Sequence, residues 1–191
     1  VMLYIRAHGV TRQTYELLES CKSRNEFFNF EDMTCPFVKK IHRIAQENCN
    51  DESFFALLGS AAHPEVVGIM SHAKGESAVF ESAESLEEFL KNDPLSKMHK
   101  KTLILAAQTT QNLAEWEKSI KFIKKYCTNS KIFDTICSVT EKRQNEVVKL
   151  SKECDVMLVV GGKKSSNTKK LADISEKYCK ATYLIETVND I

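Results

Sequence analysis

A chain of 191 residues has room for one large domain or two small ones, and for a core that needs no disulfides. Lys and Arg number 27 against 26 Asp and Glu, a net charge of +1, which excludes a general nucleic-acid or membrane-surface binder. With 42% hydrophobic and 28% charged residues, the composition is that of an ordinary soluble globular protein.

The chain opens on an apolar strand at 2–7 and a helix at 11–21. Strand 27–32 leads to helix 35–48, strand 53–58 to helix 64–72, and strand 77–81 to helix 84–91. A polar stretch, 91–101, is the softest break. Beyond it, strand 101–107 precedes helix 111–126, strand 130–134 precedes helix 140–153, strand 155–161 precedes helix 167–179, and strand 181–186 ends the series. In helix 111–126, Leu113, Trp116, Ile120 and Ile123 recur at helical spacing and read as a core-facing stripe. The longest apolar run, "DVMLVVGG", is strand-sized, and the opening residues show no signal-peptide pattern. Such alternation predicts an α/β fold with largely parallel sheets, where ligands bind outside the carboxyl ends of the strands.

One α/β unit recurs. "FEDMTCPFVKKIHRIAQ" and "FDTICSVTEKRQNEVVKL" each run from a strand ending in Phe and Asp through Thr to Cys and a helix. The cysteines, Cys35 and Cys137, stand 102 residues apart (137 less 35), as do Gly59 and Gly161 after the next strands. "VMLYIRAHGVTRQTYELL" likewise parallels "TLILAAQTTQNLAEW". A preceding copy would then begin before Val1, and both ends read as cut.

Seven cysteines without a short repeated spacing argue against a disulfide framework and for a reducing, cytoplasmic setting. Cys35 and Cys137 fall at strand-to-helix turns, where the helix dipole and free backbone N–H groups favour a thiolate. Thr34 or Asp32 is expected to cap the first of these helices, with Pro36 in its first turn. If the units pack about an axis, the two thiolates converge, and converging thiolates bind a soft metal or an iron–sulfur cluster. There is no C-x₂-C spacing, and burial as two core cysteines is the plain alternative. Cys21, Cys49, Cys127, Cys154 and Cys179 read as packing residues.

The loops "AHGVT", "AAHPEV", "AQTTQN" and "KKSSNTKK" each follow a strand and open a helix. Their hydroxyls, amides and imidazoles beside helix N-termini are phosphate-binding chemistry. Glu65, two residues after His63, is placed to move protons, or simply complements its helix dipole. His42, in the basic stretch "KKIHR", reads as part of a solvated face. His72 and His99 read as loop or helix-end residues.

In order and spacing, "HGV" at 8–10, "TCPFV" at 34–38, "HPEVVG" at 63–68, "QTT" at 108–110, "DTICSVTEKRQ" at 134–144 and "VVGGKKSSNTKKL" at 159–171 resemble one family. It is that of the 4-hydroxy-3-methylbut-2-enyl diphosphate reductases, the last enzymes of the non-mevalonate isoprenoid pathway. The resemblance implies a pseudo-three-fold cloverleaf of small parallel-sheet α/β units around a central cavity. Residues 1–33 would be the remnant of an incomplete first unit, 34–132 the second and 133–191 the third. It implies a [4Fe–4S] cluster held by Cys35, Cys137 and a third cysteine upstream of Val1. His8, His63, Ser165, Ser166 and Asn167 would bind the substrate diphosphate, Glu65 would donate or relay protons, and Thr109, with Thr110, would position the substrate hydroxyl. Two electrons from ferredoxin or flavodoxin, with protonation, would expel that hydroxyl as water and give isopentenyl or dimethylallyl diphosphate. No nucleic acid or membrane enters this scheme. Ser60, Ala7 and Lys164 depart from commoner family choices without touching a proposed ligand. With two of three thiolates, the 191-residue chain by itself is expected to hold no cluster and to be inactive. The other readings are a non-redox diphosphate or phosphosugar binder that treats both cysteines as core, and a zinc-dependent phosphate-ester hydrolase, for which no zinc-like spacing exists.

Overall fold

The structure is a computed structural model that describes residues 1–92 and 101–190. In chain order it contains β1 (Met2–Ile5), α1 (Arg12–Arg24), β2 (Asn29–Asp32), α2 (Pro36–Asn48), β3 (Ser53–Leu58), α3 (Pro64–His72), β4 (Glu76–Phe80) and α4 (Ala83–Asn92). There follow β5 (Thr102–Ala107), α5 (Leu113–Tyr126), β6 (Ser130–Ile132), α6 (Ser138–Glu153), β7 (Met157–Val160), α7 (Ser166–Glu176), β8 (Thr182–Ile185) and a 3-10 turn at Val188–Asp190. Every predicted strand and helix overlaps one of these. Most of the 91–101 break, and His99 within it, lies outside the described residues.

Two compact units form, Val1–Gln108 with Glu115–Thr135, and Thr109–Ala114 with Ile136–Ile191. The first holds a parallel pair, β1–β2, and a four-stranded parallel sheet in the order β4-β3-β5-β6. The second holds the parallel pair β7–β8. Strand β3, "SFFALL", is buried along its whole length, because a central parallel strand is covered on both faces and so reads as a continuous apolar run. Around it, Ile41, Ile44 and Ala45 of α2 and Val66 and Ile69 of α3 pack on Phe55, Leu57, Ile104 and Ala106. Trp116 and Ile123 of the predicted stripe are buried as expected.

The internal repeat is visible as matching backbone. A Cβ on Gly59, after β3, would lie 2.9 Å from Val66 Cγ2; one on Gly161, after β7, would lie 2.6 Å from Thr168 Oγ1. Val66 and Thr168 are the equivalent helix positions, each seven residues on. Glycine is required at both turns because the helix passes directly over the strand end. Gly161→Ala is expected to destabilise the chain by about 1–3 kcal/mol through overpacking. The urea midpoint measures this, and an unshifted midpoint would show that the contact yields freely.

All seven thiols are free. Cys49 and Cys179 are buried as packing residues, but Cys154, at the C-cap of α6, is exposed. That expectation is corrected: its position just past a helix end turns it outward.

Candidate functional site

In the first unit, the turn after β1 closes with Gly9 N–H donating to Arg6 O at 2.9 Å, and Gly9 has φ +71°, a conformation glycine adopts without strain. Cys35 N–H donates to Ala7 O at 3.0 Å, which ties the cysteine turn to the loop carrying His8. Cys35 itself is the N-cap of α2, with Pro36 following; it is half-buried and its side chain makes no capping hydrogen bond. The expected cap from Asp32 or Thr34 is not formed. Asp32 Oδ1 instead accepts from Thr34 N–H at 3.0 Å, from Thr34 Oγ1, and from the Tyr15 hydroxyl at 3.2 Å, while Oδ2 pairs with Lys39 Nζ at 2.8 Å. Partial burial opposes ionisation of Asp32, but the hydrogen bonds from Lys39 and Thr34 outweigh it and hold the carboxyl below its ordinary range.

His8 and His63 meet edge to face, with centroids 5.2 Å apart and planes at 81°. His63 is the N-cap of α3, and its Nδ1 accepts from Glu65 N–H at 3.2 Å. In the neutral ring Nε2 therefore carries the proton and is the donor. Glu65, in the first helical turn, is only 2% exposed. Two imidazoles at the mouth of a helix N-terminus suit an anion, and a buried carboxylate within the same turn suits proton transfer beside it.

His42 is not on a solvated face. It is 7% exposed and stacks on His72, which ends α3, with centroids 4.4 Å apart. Lys39, Lys40 and Arg43 project outward around it, but position 42 adjoins the Val38–Ile41–Ala45 stripe and turns inward. Burial pushes the His42 imidazole down to about 4; His72 and Lys39 add to the shift and Asp32 opposes it. Burial likewise lowers His72, with Arg12 reinforcing. Unfolded histidine binds its proton near pH 6.5, so the folded form is favoured above that pH. The contribution is expected to fade as pH falls from about 6.5 to about 4, by roughly 3 kcal/mol in all. Urea midpoints across that range measure it, and His42→Leu should flatten the profile; an equal slope in the variant would refute this account.

In the second unit, Cys137 N–H donates to Thr109 O at 3.0 Å. Cys137 is the N-cap of α6, half-buried, again with no side-chain capping bond. The pairs Cys35 with Ala7 and Cys137 with Thr109 are thus one turn built twice, at the 102-residue offset. Thr109 is buried, and Thr110 Oγ1 donates to Ser166 Oγ at 3.2 Å. Ser165 is the N-cap of α7, its Oγ accepting from Thr168 N–H at 3.3 Å. It occupies the place His63 holds in the first unit. Asn167, in the first turn of α7, has its Oδ1 buried without a hydrogen-bond partner, and its Nδ2 hydrogens are the part of the amide suited to an anion. Sequence reasoning gave no role to Gln144, the last residue of "DTICSVTEKRQ". Only 2% exposed, it donates to Gln111 O at 2.9 Å and accepts from Leu113 N–H at 3.0 Å, fixing the loop that carries Thr109 and Thr110. The motif does not reveal this role, since the partners are main-chain atoms of a distant loop.

Within the first unit the structure brings together His8, His63 and Glu65, and ties Cys35 to their loop. Within the second it joins Thr109 to Cys137 and Thr110 to Ser166. Among the described residues, no three His, Cys, Asp or Glu side chains assemble as a metal site. The two uncapped, half-buried thiols are soft donors of the kind that iron–sulfur clusters take. No described helix is long and apolar enough to cross a membrane.

Residues 1–191 match the family described as LytB protein. A 4-hydroxy-3-methylbut-2-enyl diphosphate reductase of Helicobacter pylori (strain P12) is 36% identical over 187 residues, covering 98% of this chain and 64% of the relative. The enzyme of that name from Campylobacter hominis is 39% identical over 189 residues, covering 99% and 64%. A solved (E)-4-hydroxy-3-methyl-but-2-enyl diphosphate reductase, the terminal enzyme of the non-mevalonate pathway, superposes with a TM-score of 0.61 at 32% identity, covering all of this chain and 64% of its own. The E-1-hydroxy-2-methyl-but-2-enyl-4-diphosphate reductase of Plasmodium falciparum gives 0.85 at 28% identity, covering all of this chain and 57% of its own. The chain therefore spans about 64% of the length of these curated relatives. The match of the family over residues 1–191, on the same parallel α/β frame, identifies the chain as a member of the LytB protein family.

Proposed function

We propose that this chain serves the reductive dehydroxylation of 4-hydroxy-3-methylbut-2-enyl diphosphate to isopentenyl and dimethylallyl diphosphate. The observation that carries the reading is the duplicated turn: an uncapped cysteine at a helix N-terminus, hydrogen-bonded by its N–H to a loop of anion-binding groups, at the same offset in both copies. The relatives are named for this reaction. The cloverleaf arrangement of three α/β units rests on the family resemblance of the motifs alone.

Cys35 and Cys137 would be two ligands of a [4Fe–4S] cluster whose third cysteine comes from outside these residues. When bound, the cluster supplies two electrons, one at a time, together with a Lewis-acidic iron. The chain's own residues do the rest. His63, through Nε2–H, and His8 hold the diphosphate in the first unit. Ser165, Ser166 and the Nδ2–H donors of Asn167 hold it in the second, beside the α7 N-terminus. Thr109 orients the allylic hydroxyl. Glu65, kept from water, delivers a proton to the departing oxygen, and the net reaction consumes two electrons and two protons and releases water. A ferredoxin or flavodoxin in the cytoplasm fits the single-electron supply.

The test is anaerobic reconstitution of the full-length protein with iron and sulfide. The visible absorbance of an iron–sulfur cluster and turnover with a reduced one-electron donor are expected. Absence of a bound cluster would sink the reading. Pyrophosphate affinity indifferent to iron and to both cysteines, without turnover, would instead favour a non-redox diphosphate binder.

A further inference from the structure

His42 is nine-tenths buried, yet its Nε2 has no hydrogen-bond partner, and neither has Nε2 of the stacked His72. A buried polar atom left unpaired lowers stability and calls for a reason. The neighbours of the His42 ring supply one. A Cβ on Gly9 would lie 2.9 Å from His42 Cε1, and one on Gly68 would lie 3.4 Å from His42 Nε2 and 3.3 Å from Val10 O. Gly9 follows His8 in the β1 turn, and Gly68 lies in α3, the helix that His63 caps. The flat Cε1–Nε2 edge of one imidazole is thus pressed against both backbones, in space that any larger residue at either glycine would occupy. His72 stacks on its face and prevents it from tilting away.

We propose that His42, backed by His72, is a positioning residue for the His8–His63 pair: its ring edge spaces the Gly9 turn from Gly68 of α3 and so sets the gap between the two imidazoles. The proposal rests on the reading of His8 and His63 as diphosphate ligands. His42 touches no substrate. It acts through the seating of one loop on one helix, which also explains why a thin planar side chain, and not a bulkier apolar one, stands at an otherwise apolar position.

The test uses the full chain and inorganic pyrophosphate, measured by calorimetry, with the His8–His63 ring contact followed by NMR in the absence of ligand. His42→Ala is expected to abolish the ring contact and weaken pyrophosphate binding about tenfold, and His42→Gln, planar at its tip, to lose no more than about threefold. Gly68→Ala should weaken binding alone but partly restore it in the His42→Ala background, because its new methyl fills the vacated space. That non-additivity is a signature general destabilisation does not give. An unchanged ring contact and unchanged affinity in His42→Ala, or strict additivity with Gly68→Ala, would overturn the proposal. If the native chain bound no pyrophosphate while the ring contact still depended on His42, the functional reading would fall and the positioning role would stand.

Discussion

In the full-length protein, serine in place of Cys35 or Cys137 is expected to abolish cluster binding while leaving the fold as stable as before, or slightly more so. Both cysteines occupy N-cap positions in extended backbone, at φ −54°, ψ 135° and φ −66°, ψ 130°, and neither side chain accepts a hydrogen bond from its helix. Serine is among the best N-caps, and an added cap contributes about 0.5–1 kcal/mol. A packing role predicts the opposite, since a polar atom would replace a buried sulfur. Loss of an outer-shell partner alone lowers metal affinity roughly 10–100-fold, so removal of a ligand should exceed about 100-fold and end turnover. Iron content, visible absorbance and thermal melting of the iron-free variants decide the matter together. Cys49→Ser is the control. Cys49 is 4% exposed and burial pushes its thiol up to about 11. That variant should lose about 1–3 kcal/mol of stability and keep its iron. A cluster retained in Cys35→Ser or Cys137→Ser, or a melting loss equal to that of the control, would return both residues to the core.

In the full-length protein, Glu65→Gln is expected to slow turnover by about 10²–10⁴, with pyrophosphate affinity within a few-fold of the parent. Glutamine preserves the shape of the side chain and leaves the bond from the residue-65 N–H to His63 Nδ1 untouched. What it removes is the transferable proton and one negative charge in the first turn of α3. The charge by itself contributes about 0.3–1 kcal/mol through the helix dipole, too little to account for a hundredfold loss of rate. A stability loss of that size with nearly normal turnover would reduce Glu65 to a dipole partner. A large fall in kcat with unchanged melting would assign it the proton.

Much of the fold was legible in the residues because it depends on local chemistry. Strand 53–58 and helix 64–72 were placed to the residue: a six-residue, largely apolar run ended by a glycine is too short for a buried helix and fits a covered parallel strand, and Pro64 fixes the first helical position. The 102-residue repeat was legible down to the paired glycines, because the same strand–turn–helix path makes the same demand for backbone without a side chain. Other features were not local. "KKIHR" looked solvated because three cations surround His42, and only the seating of the β1 turn and α3 against α2 buries that one position. Asp32 was a sound candidate cap, but Tyr15 from α1 and Lys39 from α2 claimed its oxygens and left Cys35 uncapped. Gln144 closes the "DTICSVTEKRQ" motif, but nothing local to it shows that it fixes a distant loop. The sequence by itself determined the parallel α/β class and the repeated strand–turn–helix unit, and it nominated the side chains proposed to bind an anion or a soft metal, since these follow from residue type, period and turn chemistry. Which polar atoms remained unpaired was decided only by tertiary structure, because hydrogen bonds to distant main chain are allotted after the helices and strands have packed.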